Sequence, residues 1–296
     1  MNGVLLIDKP AGPTSHDVVA RIRRTTKERS VGHTGTLDPR ATGLLPLVLG
    51  RATRLAALLT GGDKTYEATI RLGFATSTDD ADGEPIGPPS AAIPAAEEIA
   101  GALRRFRGTF DQRPPAHSAK KVGGRRAYEL ARREQPVELA PVPVTVRGLE
   151  LAGVEGDRVR IRVTATAGFY VRALARDLGE ALGCGGHLEV LRRTGSGAFD
   201  VADAVPLEAA ERLGPALAGR LILPADALPF LPEVRLTEGG LARARHGNPV
   251  GPEHLEAHWI PPPSTPGPVK VLGPDGALVA LAHSRGGALH PVVVLG

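Results

Sequence analysis

A single aspartate, Asp38, lies in a segment whose composition can shape a turn around it. Gly32 and Gly35 allow backbone angles that other residues resist, and Pro39 keeps Asp38 out of the helical region. The apolar run at 44–49 predicts a buried strand directly behind the turn. This pattern favours a reactive carboxylate at the mouth of a cleft. An aspartate in such a turn commonly bonds its own backbone instead, and the turn residues alone leave that alternative open.

The segment around Asp38 resembles the signature of the TruB family, the tRNA pseudouridine-55 synthases. The resemblance covers HTGTLDP (33–39), ATGLLPL (41–47) and LGRATRL (49–55). It implies that Asp38 is the catalytic nucleophile. It also implies that His33 occupies the space that the target base leaves when it is flipped out of the RNA.

Two further segments resemble motifs of the same family. In KTYEATIRLG (64–73), Tyr66 begins an alternating strand; such a tyrosine usually packs in a core, but the resemblance implies that it stacks on the target base. In GFYVRALARDLGEALG (168–183), the resemblance implies functional roles for Tyr170 and Arg172. On an extended backbone these two side chains would share one face. An arginine beside Asp38 would keep the carboxylate ionised, whereas the alternative is an arginine on a helix surface.

Two more residues complete the candidate site. Leu191 lies in CGGHLEVLRRT (184–194), which resembles the family strand that supplies an apolar wall of the active site; a core role is equally consistent. Lys9 precedes a Pro/Gly turn and is either a phosphate contact or an exposed turn lysine. After this turn, Ser15 is predicted to cap a helix that continues to about Thr26.

Basic residues are concentrated in one segment of a chain whose net charge is only +4. Between Arg104 and Arg133 ten Lys/Arg face two acidic residues, a local charge of +8. This density indicates either a solvated face or a polyanion partner. Residues 112–133 resemble the family insertion that grips the RNA arm. The residues expected to contact tRNA phosphates are Lys120, Lys121, Arg125 and Arg126.

Composition limits the class of protein. The chain has 296 residues, 42% apolar residues and 3% aromatic residues, which fits one large domain plus a small one. The single Cys184 excludes a disulfide within the chain and does not make a zinc site. The sequence has no signal peptide and no apolar run of membrane-spanning length, so we expect a cytoplasmic protein without membrane contact.

The elements that would hold these residues predict an α+β fold. The family resemblance implies a pseudouridine synthase catalytic domain over 1–228, with a mixed, mainly antiparallel sheet and an RNA-gripping insertion at about 74–140. Strands at 142–151 and 159–165 are predicted to pair across a turn at Gly153–Gly156. Prolines at 223–232 indicate a linker. The short strands and the helix that follow favour a small PUA-like RNA-binding β-barrel over 229–296.

The resemblance implies an isomerase that converts uridine 55 in the T-arm loop of tRNA to pseudouridine. The N1–C1′ bond breaks and the uracil rejoins through C5, with Asp38 attacking C1′ or C6 or removing a proton from C2′. The reaction has no redox or group-transfer step, and the sequence has no Walker loop, GxGxxG or metal-ligand spacing. We therefore expect no cofactor and no metal.

Two other classes share these motifs: a non-catalytic RNA-binding or RNA-folding protein, and the catalytic subunit of a guide-RNA particle. The intact Asp38, Tyr66 and Arg172 argue against the first as the sole role, although assistance in tRNA folding is compatible with catalysis. The basic segment argues against the second, because the guide-dependent relatives lack it. We expect a monomer that needs no guide RNA.

Overall fold

The computed structural model describes residues 1–90, 92–116, 121–122, 125–126, 139–257 and 267–296, with the backbone alone at 121–122 and 125–126. The chain divides into two compact units. The first unit contains Met1–Pro39, Leu45–Thr60 and Ala198–Gly296, and the second contains Arg40–Leu44 and Gly61–Gly197. The domain boundary expected between residues 228 and 229 stays a prediction.

The described residues contain both helices and strands, with several strands following one another directly, as in an α+β fold. The α-helices are α1 (Ser15–Thr26), α2 (Ala56–Thr60), α3 (Ala96–Leu103), α4 (Val171–Ala181), α5 (Leu207–Leu213) and α6 (Glu238–Arg245). Short 3₁₀ turns lie at Gly50–Leu55, Arg104–Phe106, Val201–Asp203, Gly214–Arg220 and Pro252–His254. None of the described helices is long and apolar enough to cross a membrane.

The two longest described strands, Val142–Glu155 and Gly186–Ser196, lie in the second unit. In chain order they are β1 (Gly3–Lys9), β2 (Val31–His33), β3 (Thr42–Leu49), β4 (Lys64–Leu72), β5 (Ala75–Thr76), β6 (Pro85–Ile86), β7 (Gly108–Gln112), β8 (Lys121–Val122), β9 (Arg125–Arg126), β10 (Val142–Glu155), β11 (Arg158–Ala165), β12 (Gly186–Ser196), β13 (Phe199–Asp200), β14 (Val205–Pro206), β15 (Glu233–Arg235), β16 (Val269–Leu272), β17 (Leu278–Arg285) and β18 (Ala288–Val294). Strand β3 contributes its first three residues to the second unit and the rest to the first.

The second unit is built on one mixed, mainly antiparallel sheet, as the family resemblance implies. The start of β3 runs parallel to β12, and the order continues through β4, β11, β10 and β7 with antiparallel pairs. Strand β11 alternates exposed and buried residues, so Val159, Ile161 and Val163 enter the core. The buried sides of α3 and α4 contribute to the same cluster.

The turn between β10 and β11 is tighter than the sequence predicts. Gly153 was expected in the turn but lies inside β10, where a register shift between Leu151 and Gly153 absorbs one residue. The strands therefore continue until Glu155 pairs with Arg158, and only two residues connect them. A bulge of this kind lets a long strand bend without ending.

The C-terminal strands form an open sheet. Strands β15, β16, β17 and β18 lie in that order, with β15 parallel to β16 and the other pairs antiparallel. Their buried side chains share a core with Ala244 of α6. Within residues 229–257 and 267–296 these strands do not close into a barrel, so the barrel prediction is not confirmed. Two arginines of the same unit bind the end of β18 and the residue after it: Arg54 donates to Val294 O, and Arg51 Nη1 donates to Leu295 O at 3.0 Å.

The cap of α1 is Thr14 and not Ser15, contrary to the prediction. Thr14 Oγ1 accepts the amide hydrogen of Asp17 at 3.0 Å, and Asp17 Oδ2 accepts that of Thr14 at 2.9 Å. This reciprocal pair is a capping box, and it satisfies amide groups that a helix start leaves unpaired. Ser15 is therefore the first helical residue, and its buried side chain is available for another partner.

Lys9 is fully buried, so the prediction of an exposed turn lysine is wrong. Its Nζ donates to the carbonyl oxygens of Pro10 and Pro13 at 2.9 Å each and of Pro39 at 3.1 Å. The ammonium faces peptide carbonyls, and the alternative of a phosphate contact finds no support in this position. Lys9 instead holds the turn after β1 against the loop that carries Asp38.

Replacing Lys9 should destabilise the fold. Lys9→Met removes the ammonium donor from the carbonyl oxygens of Pro10, Pro13 and Pro39; that of Pro39 keeps the amide of Gly12, and buried unsatisfied acceptors cost about 1–3 kcal/mol each. We expect the free energy of unfolding, measured by urea denaturation, to fall by roughly 3 kcal/mol. The exposed Lys27 is the matched control, and Lys27→Met should change it by less than about 0.5 kcal/mol. Equal stability of the two variants would contradict the structural role of Lys9.

Candidate active site

The backbone before Asp38 is held by the hydroxyl of Ser15. Ser15 Oγ accepts the amide hydrogen of Leu37 at 2.8 Å and donates to the carbonyl of the same residue at 3.0 Å. Both residues are buried, with 3% and 4% of their surfaces exposed. Because one side chain satisfies both polar groups of Leu37, the peptide that leads into Asp38 has little freedom to rotate.

The backbone after Asp38 is held by the turn that follows β1. The carbonyl oxygen of Pro39 accepts from the amide of Gly12 at 2.9 Å and from Lys9 Nζ at 3.1 Å. Asp38 itself is half-buried. Its carboxylate therefore projects from a loop that is anchored on both flanks, which is what a catalytic group needs to keep its direction.

His33 is the last residue of β2, and its backbone pairs with Leu47 of β3. The amide of Gly35 donates to His33 Nδ1 at 3.4 Å. The structure thus places His33 at the entrance of the loop that carries Asp38, within the first unit.

The structure brings together Tyr66 and Leu191 in the second unit. Leu191 pairs with Ala68 and Arg193 pairs with Tyr66 across the antiparallel strands β12 and β4. Directly paired residues of an antiparallel sheet point to the same face, so Tyr66 and Leu191 are diagonal neighbours. Both side chains are half-buried and pack against the core of this unit. They can form two sides of an apolar surface for a flat base.

Arg193 is a site residue that the sequence analysis did not single out. Only 1% of its surface is exposed. Its Nε donates to the carbonyl of Leu44 at 2.7 Å, and its side chain is hydrogen-bonded to that of Tyr66. Burial lowers the pKa of Arg193, and the interactions with Tyr66 oppose this shift.

Lys64, two residues before Tyr66, is a second buried cation. Its Nζ donates to the carbonyl of Gly62 at 2.6 Å, and 6% of its surface is exposed. Burial lowers the pKa of Lys64 to about 8; the charge of Arg193 acts in the same direction, and Asp63 opposes it. Two buried cations, Lys64 and Arg193, therefore lie near Tyr66, and removing each from water costs free energy.

Tyr170 and Arg172 do not share an extended strand, contrary to the prediction. Helix α4 begins at Val171, and Tyr170 is its extended N-cap residue. Arg172 is therefore already helical, and the two side chains do not follow strand alternation. The amide of Gln112 fixes the Tyr170 backbone: its Nε2 donates to the carbonyl at 3.1 Å and its Oε1 accepts from the amide at 2.9 Å.

Arg172 is 8% exposed, so the alternative of an arginine on a helix surface is wrong. It donates to the carbonyl of Thr78 at 3.4 Å and to Asp80 Oδ2 at 3.3 Å. One helical turn later, Arg176 pairs with Asp79 at 2.9 Å. Burial raises the pKa of Asp79, and the charges of Arg176 and Arg172 oppose this shift.

The acidic segment at 76–84 forms ion pairs with α4 that nothing in the sequence analysis predicts. It does contain a turn, between β5 and β6, which pair with each other. Asp79 has a positive φ of 62°, a backbone angle that aspartate tolerates better than most residues. In the sequence, the only indication of these ion pairs is that two aspartates, Asp79 and Asp80, are adjacent. Two adjacent aspartates do not predict ion pairs unless the arginines that contact them are already known.

The other predicted contacts fall into three groups. Asp38, His33 and Lys9 lie in the first unit, whereas Tyr66, Tyr170, Arg172 and Leu191 lie in the second. Lys120 lies outside the described residues. The backbones of Lys121, Arg125 and Arg126 form the pair of strands β8 and β9, with Lys121 opposite Arg126. Phosphate binding by these residues stays a prediction.

Comparison with known families identifies the class. Residues 23–171 match the family model described as "TruB family pseudouridylate synthase (N terminal domain)", and residues 172–228 match "tRNA pseudouridylate synthase B C-terminal domain". This chain therefore belongs to the TruB family of pseudouridylate synthases, which confirms the resemblance inferred from its motifs.

Curated relatives match along the whole chain. The protein named tRNA pseudouridine synthase B from Solibacter usitatus is 47% identical, with 100% of both chains covered. The proteins of that name from Dinoroseobacter shibae and Thermobifida fusca are 43% and 46% identical, each covering 99% of this chain and 95% and 98% of their own length.

Solved structures share the fold. A chain in the structure titled "Structure of H/ACA RNP bound to a substrate RNA containing 2'-deoxyuridine" is 26% identical, with a TM-score of 0.76 over 99% of this chain and 85% of that one. A chain in "Crystal Structure of a Cbf5-Nop10-Gar1 Complex" is 28% identical, with the same TM-score and the same coverage.

The low pKa of Lys64 predicts a pH-dependent stability. A lysine that titrates near pH 10.4 when unfolded and near 8 when folded binds more protons in the unfolded state between these values. The penalty for charging Lys64 is thus fully present below pH 8 and is relieved as the pH rises towards 10.4. Lys64→Met should raise the free energy of unfolding by about 1–3 kcal/mol at pH 7, and this gain should shrink towards pH 10.

Urea denaturation of the wild type and the variant between pH 7 and pH 10 measures the difference. Lys27→Met, on an exposed residue, controls for the loss of a charge and should give a small difference at every pH. A Lys64 difference that stayed constant across this range would contradict the buried, charged state of this side chain.

Proposed function

We propose that this protein converts uridine 55 in the T-arm loop of tRNA to pseudouridine, acting as a monomer without guide RNA. The observation that carries the proposal is the anchored loop around Asp38, in which Ser15, Lys9 and Gly12 hold the peptides on both sides of a half-buried carboxylate. Relatives named tRNA pseudouridine synthase B, similar over their whole length, support tRNA as the substrate.

Asp38 supplies the carboxylate that the isomerisation requires. The N1–C1′ bond of uridine breaks, the uracil turns, and C5 joins C1′; C5 then loses its proton and N1 gains one, so that atoms and charge balance. Three routes assign Asp38 a role: attack on C1′, attack on C6, or removal of the C2′ proton. In each route the carboxylate must be ionised and directed at one atom. Arg172 carries the positive charge that the family resemblance assigns to this task.

The target base leaves its stack before it reacts. Extrusion of a base costs a few kcal/mol, which contacts outside the helix must offset. Tyr66 stacks on the flipped uracil and Leu191 closes the apolar side, so that the detached base does not escape. Tyr170 lines the substrate site at the start of α4. His33 fills the space that the base vacates in the loop.

Affinity comes from phosphate contacts outside the reacting nucleotide. Lys120, Lys121, Arg125 and Arg126 bind the backbone of the T arm. The C-terminal strands, as a PUA-like RNA-binding module, contact a more distant part of the tRNA and add affinity. The basic segment supports recognition of the stem-loop by this chain alone. It argues against the alternative hypothesis that the chain is a subunit of an RNA-protein particle.

The direct test uses the purified protein and an isolated, unmodified T-arm stem-loop. After incubation the RNA is digested and its nucleosides are separated by chromatography, since pseudouridine and uridine have equal mass. We expect pseudouridine at position 55 without any other RNA or protein. Asp38→Asn should abolish the product while changing the dissociation constant by less than about tenfold, or 1.4 kcal/mol.

A stem-loop with cytidine at position 55 is the matched substrate control and should yield no pseudouridine. If the natural stem-loop stays unmodified at high enzyme concentration while an added guide RNA restores the reaction, the stand-alone proposal is wrong. Substantial turnover by Asp38→Asn would discard the assignment of the carboxylate.

The two hydrogen bonds between Ser15 and Leu37 lead to a separate prediction. Ser15→Ala removes both hydrogen bonds to Leu37, and because small displacements of a catalytic group are costly, the single-turnover rate should fall by about 10- to 100-fold. Thr14→Ala is the neighbouring control. It removes the α1 cap at a cost of about 1 kcal/mol in stability, but the rate at saturating enzyme should stay within about twofold.

Thermal unfolding of both variants separates the two effects. If the two substitutions slowed the reaction equally, the loss would follow from general destabilisation, and the specific role of Ser15 would be refuted.

A further inference from the structure

The guanidinium of Arg193 is buried at a position where the proposed chemistry does not require a charge. It is one of the largest fully buried side chains among the described residues, with 1% of its surface exposed. Removing a guanidinium from water costs several kcal/mol, and an apolar residue of similar volume often packs there at no loss of stability. Packing in the sheet therefore does not explain why an arginine lies at this position.

The contacts of Arg193 connect two strands. Its side chain is hydrogen-bonded to Tyr66 of β4, and its Nε donates to the carbonyl of Leu44 in β3. Its own backbone pairs with Tyr66 on one side and with Gly43 on the other. A Cβ on Gly43 would lie 2.2 Å from the carbonyl oxygen of Arg193, so only glycine permits this approach. Arg193 is thus fixed by backbone and side chain together.

The direction of the hydrogen bond to Tyr66 follows from chemistry. A guanidinium has donors only, so the phenolic oxygen of Tyr66 must be the acceptor. The hydroxyl keeps its own hydrogen for another partner. With its oxygen held by a rigid, planar donor, the Tyr66 ring cannot turn about its two side-chain torsions without breaking a buried, charge-assisted bond.

We infer that Arg193 is a positioning residue for Tyr66: its guanidinium holds the phenolic oxygen so that the ring presents one fixed face to the target base. The inference rests on the proposed function, in which Tyr66 stacks on the flipped uracil. A ring that is already oriented loses less freedom when the base arrives, and the glycosidic bond then meets the catalytic groups in one geometry.

The kinetic test compares Arg193→Lys, Tyr66→Phe and the double variant. Arg193→Lys keeps the positive charge but loses the planar fork of donors. We expect its single-turnover rate to fall by about 10- to 100-fold, with tRNA affinity changed by less than about threefold. Tyr66→Phe should lose at least as much, and the double variant no more than Tyr66→Phe alone, because arginine and hydroxyl act through one bond.

Arg71→Lys is the matched control. Arg71 lies on the same strand as Tyr66 but pairs with Asp157, so its rate should stay within about twofold of the wild type. If Arg193→Lys behaved like this control, or if its loss multiplied with that of Tyr66→Phe, the inference would be wrong. Wild-type turnover by Tyr66→Phe would overturn it as well, and this outcome does not require Arg193 variants to fold.

A second measurement does not depend on activity. The chain has three tyrosines, Tyr66, Tyr128 and Tyr170, so protein labelled with 3-fluorotyrosine gives a ¹⁹F spectrum simple enough to assign by Tyr→Phe substitution. The Tyr66 signal should shift and sharpen in Arg193→Lys and stay in place in Arg71→Lys. An unmoved Tyr66 signal would overturn the inference. If the wild type made no pseudouridine but the signal moved, the proposed function would fail and the contact would stand.

Discussion

The direction of the Asp38 carboxylate depends on how the two peptides beside it are held. Ser15 binds both polar groups of Leu37, and Lys9 and Gly12 bind the carbonyl of Pro39. All of these groups come from β1, the turn after it and the first turn of α1. A small N-terminal segment therefore anchors one loop about 25 residues further along the chain. This contact explains why Lys9-Pro10, Gly12 and Ser15 occur in that segment.

The described part of the molecule uses buried cations to fix backbone and side chains. Lys9 donates to three proline carbonyls, and Lys64 donates to the carbonyl of Gly62. Arg172 pairs with Asp80 of the acidic segment, and Arg193 donates to the carbonyl of Leu44 and to the hydroxyl of Tyr66. Each is costly to desolvate, so each is retained only where its hydrogen bonds offset that cost. A polar network that is fully paired holds a single arrangement more strictly than apolar packing does.

The features that could be predicted from the sequence are those that depend on residues close together along the chain. The strand with Tyr66 follows from alternation and the strand with Leu191 from a family motif. The backbone from Tyr170 to Arg172 is predicted to be extended, but it enters a helix at Val171. Contacts between distant residues were not visible. Ser15 reads as a helix cap, although its partner is 22 residues away. Asp80 reads as a turn residue until Arg172, 92 residues later, packs against it. Arg193 has the pattern of an ordinary arginine in a strand. The alternation of residues predicts the face of the sheet on which its side chain lies, but not the oxygen atoms to which that side chain donates.

The division of the first compact unit into three separate stretches of chain has a consequence for biosynthesis. Strand β1 ends at Lys9, but its parallel partner β14 lies at Val205–Pro206. A ribosome that adds about 5–20 residues per second needs roughly 10–40 seconds to make the intervening chain. During that interval β1, whose residues Val4–Ile7 are all apolar, lacks the strand that pairs with Ile7 and Asp8. The emerging chain must therefore be shielded, by its own early contacts or by a chaperone, before this unit can be completed.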